Sequence, residues 1–485
     1  MKNNSLLKLI STYLNIYFSH KGNKEQLYKK ELFYYLKERG GVYNKFLQVL
    51  SITKKFMDGW STPNEYKVFN QAQEEYIDIS KYIDIKSYKS IDEKPIGIGS
   101  FAQVYKGHTL DDEIVAIKIL KPSVANNLKK DLKTLHRLVN IVSLFVSTSA
   151  INIKDAFEEF SEICLTETDY QNEITNIEYF AELYKNNNYI KIPKVYKNMC
   201  TSNVIVQEYI EGLTLADLLI NCQGEETLFD ANKRITGSNL WTQLSVVGGE
   251  FLRSAMTKDF IYGDPHPGNI ILLSNNQVAF IDFGIVARKP LSHRAFYDWT
   301  KSYYNILTNN KNTNNFYDII NTTLQCFCPD FINALNICTD NQIISIISKA
   351  ISNKFNLIRT NTVELDDLIE DGHMYTIFSQ FMNNKNIFKL SMDMCNFPLI
   401  KAMQAFICTL NTIDSKYKSN NYTILMICCM EYAFKAVENE TVPYDYIENT
   451  KYSRGDSLEM IDAILSSLAE GDEFLFQNIY KEMIR

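Results

Sequence analysis

The sequence predicts an α+β fold of two lobes, a small β-rich N-terminal lobe and a large helical C-terminal lobe. Three observations predict it. Residues 96–118 read Ile-Gly-Ile-Gly-Ser-Phe-Ala-Gln-Val-Tyr-Lys-Gly, a turn-like His-Thr-Leu-Asp-Asp-Glu, then Ile-Val-Ala-Ile-Lys. That is two extended runs about a polar turn, the pattern of a strand pair. Residues 262–288 hold Tyr-Gly-Asp-Pro-His-Pro-Gly-Asn-Ile and, further on, Ile-Asp-Phe-Gly-Ile-Val-Ala-Arg. Between them, the apolar runs 270–273 and 278–281 flank a turn at Ser274, Asn275 and Asn276. From residue 213 onward helical periodicity dominates, as in Leu399, Met403, Phe406 and Leu410 at spacings of four, three and four.

The chemistry of these segments makes the fold protein-kinase-like. Asp264 precedes Asn269 by five residues, and Asn269 precedes Asp282 by thirteen. A kinase site needs one carboxylate to orient and deprotonate the attacking group, and an amide oxygen and a second carboxylate to hold metal. Asp264 takes the first role; Asn269 and Asp282, which opens Asp-Phe-Gly, take the second. The hairpin between them brings Asn269 and Asp282 side by side. Upstream, Gly97, Gly99 and Ser100 form the phosphate loop, where glycine lets backbone approach phosphate without a Cβ in the way. Lys118 ends the Val-Ala-Ile-Lys strand and is expected to pair with the phosphates and assist catalysis. The implied cofactors are ATP or ADP with Mg²⁺.

The elements follow in order. Residues 1–90 read as a helical extension rich in Lys and Tyr. Leu6, Leu9, Ile10, Tyr13 and Tyr17 form an apolar stripe, and Gly40-Gly41 punctuates before a second helix from Val42. Residues 91–212 are the nucleotide-binding lobe, with a helical insertion at about 122–165 marked by Leu128, Leu132, Leu135 and Leu138. The run Val204-Ile205-Val206-Gln207-Glu208-Tyr209 is a strand leading to a hinge, with Glu208 expected at the nucleotide, and Gly212 ends this lobe. Residues 213–440 form the catalytic lobe and 441–485 a helical tail.

Composition narrows the function. The net charge of −7 argues against nucleic acid as a partner, although residues 1–60 carry eleven Lys/Arg against four Asp/Glu. That local excess suits peripheral contact with an anionic membrane surface. Ten cysteines without a Cys-x-x-Cys pair read as reduced thiols of a cytoplasmic protein rather than zinc ligands. The start lacks a secretory signal pattern, and the uncharged run 138–153 contains Asn140, Ser143, Ser147, Thr148, Ser149 and Asn152 and falls short of a membrane span.

Taken together, Asp-Pro-His-Pro-Gly-Asn at 264–269, Glu167-Thr168-Asp169 and the insertion before that pair resemble the UbiB-like atypical kinases, linked to coenzyme Q and isoprenoid-lipid metabolism. The resemblance covers roughly residues 35–415. It implies that Glu173, 55 residues beyond Lys118, is the lysine's carboxylate partner, in preference to Glu167. Glu167 and Asp169 are implied to contact metal or Lys45. The family's K-x-G-Q motif corresponds to Lys45-Phe46-Leu47-Gln48, which implies that Lys45 and Gln48 face the nucleotide and that the extension covers the peptide site. Two features depart from the family pattern. Leu47 replaces the motif glycine, and Gly97-Ile98-Gly99-Ser100 replaces an alanine-rich loop. Tyr262-Gly263 before Asp264 and the absence of Ala-Pro-Glu after Asp282-Phe283-Gly284 remove the usual activation-segment control.

The expected function is therefore an enzyme, an atypical kinase or ATPase, acting on a lipid or quinone-type small molecule rather than on peptides. A small-molecule phosphotransferase of the antibiotic or choline kinase type shares the Asp…His-Pro-Gly-Asn loop, but the Glu167/Asp169 pair and the Lys45 helix weigh against it. A nucleotide-binding scaffold without turnover is disfavoured because the metal and phosphate residues are all present.

Overall fold

The computed structural model describes Leu36, residues 41–43, 45–46, 77–142, 153–221, 227–288, 292–308, Thr322, Cys326 and 421–438. Gln48, Leu47, the stripe from Leu6 to Tyr17, the helix through Leu399–Leu410 and the tail 441–485 lie outside the described residues. The chain forms two units, one from Met1–Lys185 with Ile192–Ile210, the other from Asn186–Lys191 with Glu211–Arg485.

The first unit is built on an antiparallel sheet ordered β1-β3-β4-β6, with β2 also pairing β3. Its strands are β1 (Tyr88–Ile91), β2 (Gly97–Ile98), β3 (Ala102–Thr109), β4 (Ile114–Leu120) and β6 (Val204–Glu208). The turn between β3 and β4 places Asp112 at φ 63°, a left-handed position that Asp tolerates. Period-two alternation assigns the faces. Val115, Ile117 and Ile119 point into a core shared with Ile77, Tyr88, Tyr105, Val204 and Val206, so Lys118 points to the opposite face. The expected helical extension to residue 90 is corrected at its end. Ile79–Lys81 and Ile85–Ser87 are single 3₁₀ turns, and β1 begins at Tyr88 because Tyr88, Ser90 and Ile91 pair with Thr109, His108 and Gly107.

After β4 come α1 (Pro122–Val142), α2 (Ile153–Glu167) and α3 (Tyr170–Tyr184). Pro122 at the first helical position suits a helix start, since its missing N–H has no partner there anyway. Asp169 caps α3 by accepting from the Asn172 N–H, which explains why α2 and α3 break at Thr168-Asp169. Upstream of the sheet, Gly41, Val42, Tyr43, Lys45 and Phe46 are helical. Phe46 is buried against Phe157 and Phe160 of α2, with ring centroids 5.8 and 4.9 Å away.

The second unit contains a four-stranded sheet ordered β5-β10-β9-β7 and a two-stranded ribbon of β11 with β8. The strands are β5 (Ile190–Lys191), β7 (Leu213–Thr214), β8 (Phe260–Tyr262), β9 (Ile270–Leu272), β10 (Val278–Phe280) and β11 (Val286–Arg288). Residues 186–191, expected within the first lobe, belong here because Ile190 and Lys191 pair in parallel with Val278 and Ala279. Helices α4 (Leu215–Asn221), α5 (Leu228–Thr236), α6 (Leu240–Thr257), α7 (His293–Thr308) and α8 (Asn421–Val437) make up the rest. At Gly249 of α6 a Cβ would lie 2.4 Å from the Tyr432 ring of α8, so glycine is what allows these two helices to approach. Among the described residues no helix is long and apolar enough to cross a membrane.

Candidate functional site

Within the first unit, the register of the sheet brings the glycine strand and Lys118 into one row. Gly97 pairs with Val104, Val104 with Lys118, and Lys118 with Ile205. These four residues form one row across four strands. Cross-strand partners share a face, so the glycine strand and Lys118 lie on the same side of the sheet, opposite the apolar core. Gly99 closes the loop by donating its N–H to the Ala102 carbonyl at 2.9 Å.

Lys118 Nζ meets Glu173 Oε1 at 2.6 Å. Glu173 stands one turn into α3 on the stripe Tyr170, Ile174, Ile177, Phe180 and Tyr184, where it is the one charged residue. Its side chain is 1% exposed and that of Lys118 16%. A carboxylate so buried requires a cation and hydrogen bonds, and the Tyr170 ring also lies 5.6 Å from the ammonium. The lysine is thereby held in one rotamer while its head keeps some access to solvent.

A second ion pair in this unit joins Lys45 to Glu167 at the end of α2. The Lys45 ammonium also sits 4.6 Å from the ring centroid of Phe101, in the glycine loop. Two expectations for Glu167 were contact with metal or with Lys45, and the structure places it on Lys45. Asp169 serves as the α3 cap. Glu208 lies on β6 opposite Val115, three residues from Lys118 along β4. Its carboxylate accepts from the Lys194 N–H at 3.3 Å, and its register opposite core-facing Val115 puts it on the other face of the sheet from Lys118.

In the second unit, the β9–β10 hairpin positions the remaining residues. Ile270 pairs with Phe280, and one step further the Ile281 N–H donates to the Asn269 carbonyl at 3.2 Å. Asn269 and the chain leading to Asp282 are thus the two ends of one hairpin. The tip contains Asn275 and Asn276 at φ 57° and 60°, the left-handed pair that a tight hairpin turn requires. Asn269 Nδ2 donates to Asp264 Oδ2 at 3.1 Å and to the Asp264 carbonyl at 3.3 Å, which commits the amide's donor to Asp264 and leaves Oδ1 as its acceptor atom. Asp282 Oδ1 accepts from the Gly284 N–H at 3.0 Å.

Two residues stiffen this loop. His266 Nδ1 accepts from the Gly268 N–H at 3.1 Å, and its carbonyl accepts from the Asn269 N–H at 2.8 Å. Fully buried Phe283 packs edge-on against Tyr262, whose ring stacks on Phe280 at 4.4 Å. Gly263 precedes Asp264 where a Cβ would lie 2.7 Å from the Ile285 carbonyl oxygen. The ribbon Tyr262↔Val286 can form only if that position is glycine.

An amide oxygen and a carboxylate are hard donors that suit magnesium, which fills its remaining positions with phosphate oxygens and water. Among the described residues no group of three or more His, Cys, Asp or Glu converges as an all-protein metal site. The chemistry of this pair of donors fits magnesium.

Sequence reasoning missed four contributors. Lys121 donates from Nζ to the Gly99 carbonyl at 2.7 Å; its signal was a lysine directly after the strand of Lys118. Phe101 and Tyr170 supply the rings beside Lys45 and Lys118; nothing in their local sequence marks them. Gly263 was read only as the residue standing where arginine would, although its steric need is equally specific.

A model of the ABC1 atypical kinase-like domain matches residues 71–316. The chloroplastic Activity of BC1 Complex Kinase 1 of Arabidopsis thaliana is 34% identical over 228 residues, which cover 46% of this chain and 31% of that protein. The AarF domain-containing kinase 1 of Drosophila melanogaster is 29% identical over 224 residues, covering 45% of this chain and 40% of that protein. The chain thus spans less than half the length of these relatives. A solved structure of a Mycobacterium tuberculosis protein in complex with erythromycin aligns with 18% identity and a TM-score of 0.43, covering 93% of this chain and 100% of that one.

Proposed function

The chain belongs to the ABC1 atypical kinase-like family, and from that premise we propose that it binds Mg-ATP and Mg-ADP and either hydrolyses ATP or transfers its γ-phosphate. The observation that carries this reading is the Lys118–Glu173 ion pair at 2.6 Å. A lysine on a central strand, fixed by a buried carboxylate from a helix 55 residues away, is the device that presents one cation to nucleotide phosphates. Asn269 and Asp282 hold the magnesium, which supplies the charge that offsets the triphosphate. Asp264 orients and deprotonates the attacking group, with the Asn269 amide fixing its carboxylate.

The acceptor in this reading is water or a lipid or quinone-type molecule, not a peptide. The Lys45–Glu167 pair supports that choice, since it ties the segment before the sheet to α2 beside the glycine loop. It also favours this reading over an antibiotic or choline kinase-like phosphotransferase. Peripheral contact with anionic lipid through the basic residues of 1–60 is part of the proposal. Liposome flotation that ignores lipid charge would remove that part.

Two variants test the core of the reading. Asp282→Asn should lose most of the magnesium-dependent thermal stabilisation by nucleotide. Asp264→Asn should retain it but release phosphate about 10²–10⁴-fold more slowly. Equal stabilisation of wild type and Asp282→Asn, with and without magnesium, would falsify the assignment.

A further inference from the structure

Lys121 joins the glycine loop to the start of α1 through its N–H, its carbonyl and its ammonium. Its N–H donates to the Phe101 carbonyl at 2.8 Å, and its carbonyl accepts from the N–H groups of Val124 and Ala125, both at 2.9 Å, as α1 begins. Its ammonium donates to the Gly99 carbonyl at 2.7 Å. The residue is 5% exposed, an unusual place for a lysine.

The consequence for the loop follows from peptide geometry. A trans peptide is planar, with its C=O and N–H pointing in opposite directions. Holding the Gly99 carbonyl on Lys121 therefore sends the Ser100 N–H away from Lys121. Gly99 uses its own N–H inside the turn, on the Ala102 carbonyl, so the Ser100 amide is the loop donor whose direction Lys121 sets. This orientation matters because an amide N–H attracts a phosphate oxygen and a carbonyl oxygen repels it. Glycine on one side makes a flip of this peptide easy, so the loop's sequence does not fix the orientation. A hydrogen bond from a cation does, being stronger than one between neutral groups.

The geometry points to Lys121 as a positioning residue that presets the nucleotide loop, holding the Gly99–Ser100 peptide with its N–H available to phosphate and anchoring it to the start of α1. The inference rests on the nucleotide-binding reading above and deepens it. Its partner class is a phosphate anion of a nucleotide, and its action is on the loop and not on the reacting atoms.

The test uses the full chain as wild type, Lys121→Met and Lys121→Arg. Two quantities are measured: Mg-ADP affinity by calorimetry, and amide hydrogen exchange in residues 97–102 without nucleotide. Lys121→Met should weaken Mg-ADP about tenfold or more, the worth of one charge-assisted hydrogen bond. It should also speed exchange in the loop while β3 and β4 stay protected. Lys121→Arg, which keeps a cationic donor, should recover part of both. Should Lys121→Met fail to fold, Lys121→Gln, which falls short of Gly99, is read in the same way. Wild-type affinity in the Met variant, or unchanged loop exchange, overturns the inference while leaving nucleotide binding intact. A wild type that binds no nucleotide overturns the functional reading and takes this inference with it.

Discussion

Two buried carboxylates, one in each unit, meet their cations in opposite ways. Glu173 and Lys118 come from different elements, a helix and a central strand, and the lysine side chain keeps 16% of its exposure. Glu250 and Arg253 sit on one helix at i and i+3, with side chains 3% and 9% exposed and an Oε2–Nε distance of 2.7 Å. Glu250 Oε1 also accepts from the Tyr432 hydroxyl at 2.9 Å and from Asn187 Nδ2 at 3.2 Å. Burial, reinforced by the Glu250 carboxylate, raises the pKa of the Tyr432 hydroxyl, so it remains a donor. The second network fastens α6, α8 and the segment before β5 to one another. Its charges are sealed inside, as suits a structural junction. The first leaves one end of the pair reachable, which is what the proposed contact of Lys118 with phosphate needs.

The sharpest way to break this comparison is to remove the cation from each pair. Arg253→Met leaves Glu250 buried without its guanidinium, and loss of one partner of a buried pair costs about 3–5 kcal/mol. The expected outcome is a large drop in the denaturant midpoint at pH 7. A drop below 1 kcal/mol would show that Tyr432 and Asn187 suffice. Lys118→Met should cost less stability, about 1–3 kcal/mol, because the lysine end of its pair, 16% exposed, is open to water that can solvate the carboxylate left behind. Its main effect should be on function, with Mg-ADP affinity falling about 10–100-fold. If Lys118→Met is as unstable as Arg253→Met and binds nucleotide normally, Lys118 is a structural residue and the contrast disappears.

How much of this could be read from the sequence differs between the same two regions. The β3–β4 hairpin, the β9–β10 hairpin and the turn at Asn275-Asn276 were legible because alternation and turn chemistry are local signals. The Lys118–Glu173 pairing was reachable only through a family resemblance, because the insertion separates the partners by 55 residues and no spacing rule spans that distance. The Glu250 network was invisible. Asn187, Glu250, Arg253 and Tyr432 share no motif, and their meeting depends on how closely α6 and α8 pack at Gly249. Residues 186–191 were misplaced for a related reason: two residues of parallel pairing with β10 decide their unit, and so short a strand leaves no periodicity to detect.

The same contrast can be drawn between two glycines, and here the expected effects are smaller. At Gly249 an added Cβ meets the Tyr432 ring at 2.4 Å and the Cys429 carbonyl oxygen at 2.9 Å. Gly249→Ala should therefore cost about 1–3 kcal/mol, the usual penalty for overpacking. At Gly99 an added Cβ meets only the Ala102 carbonyl oxygen, at an ordinary 3.6 Å, and Gly99 is not among the glycines with positive φ. Neither packing nor backbone conformation requires glycine there. Gly99→Ala should leave stability unchanged or raise it by about 0.4–1 kcal/mol, because alanine narrows the unfolded ensemble. The remaining reason for glycine is the approach of a ligand to the loop backbone, so Mg-ADP affinity should fall about tenfold in a protein that melts no earlier than wild type. Calorimetry and thermal melts on the same sample decide it. A Gly99→Ala protein that binds Mg-ADP as tightly as wild type would mean the loop tolerates a side chain at its tip and phosphate is held elsewhere.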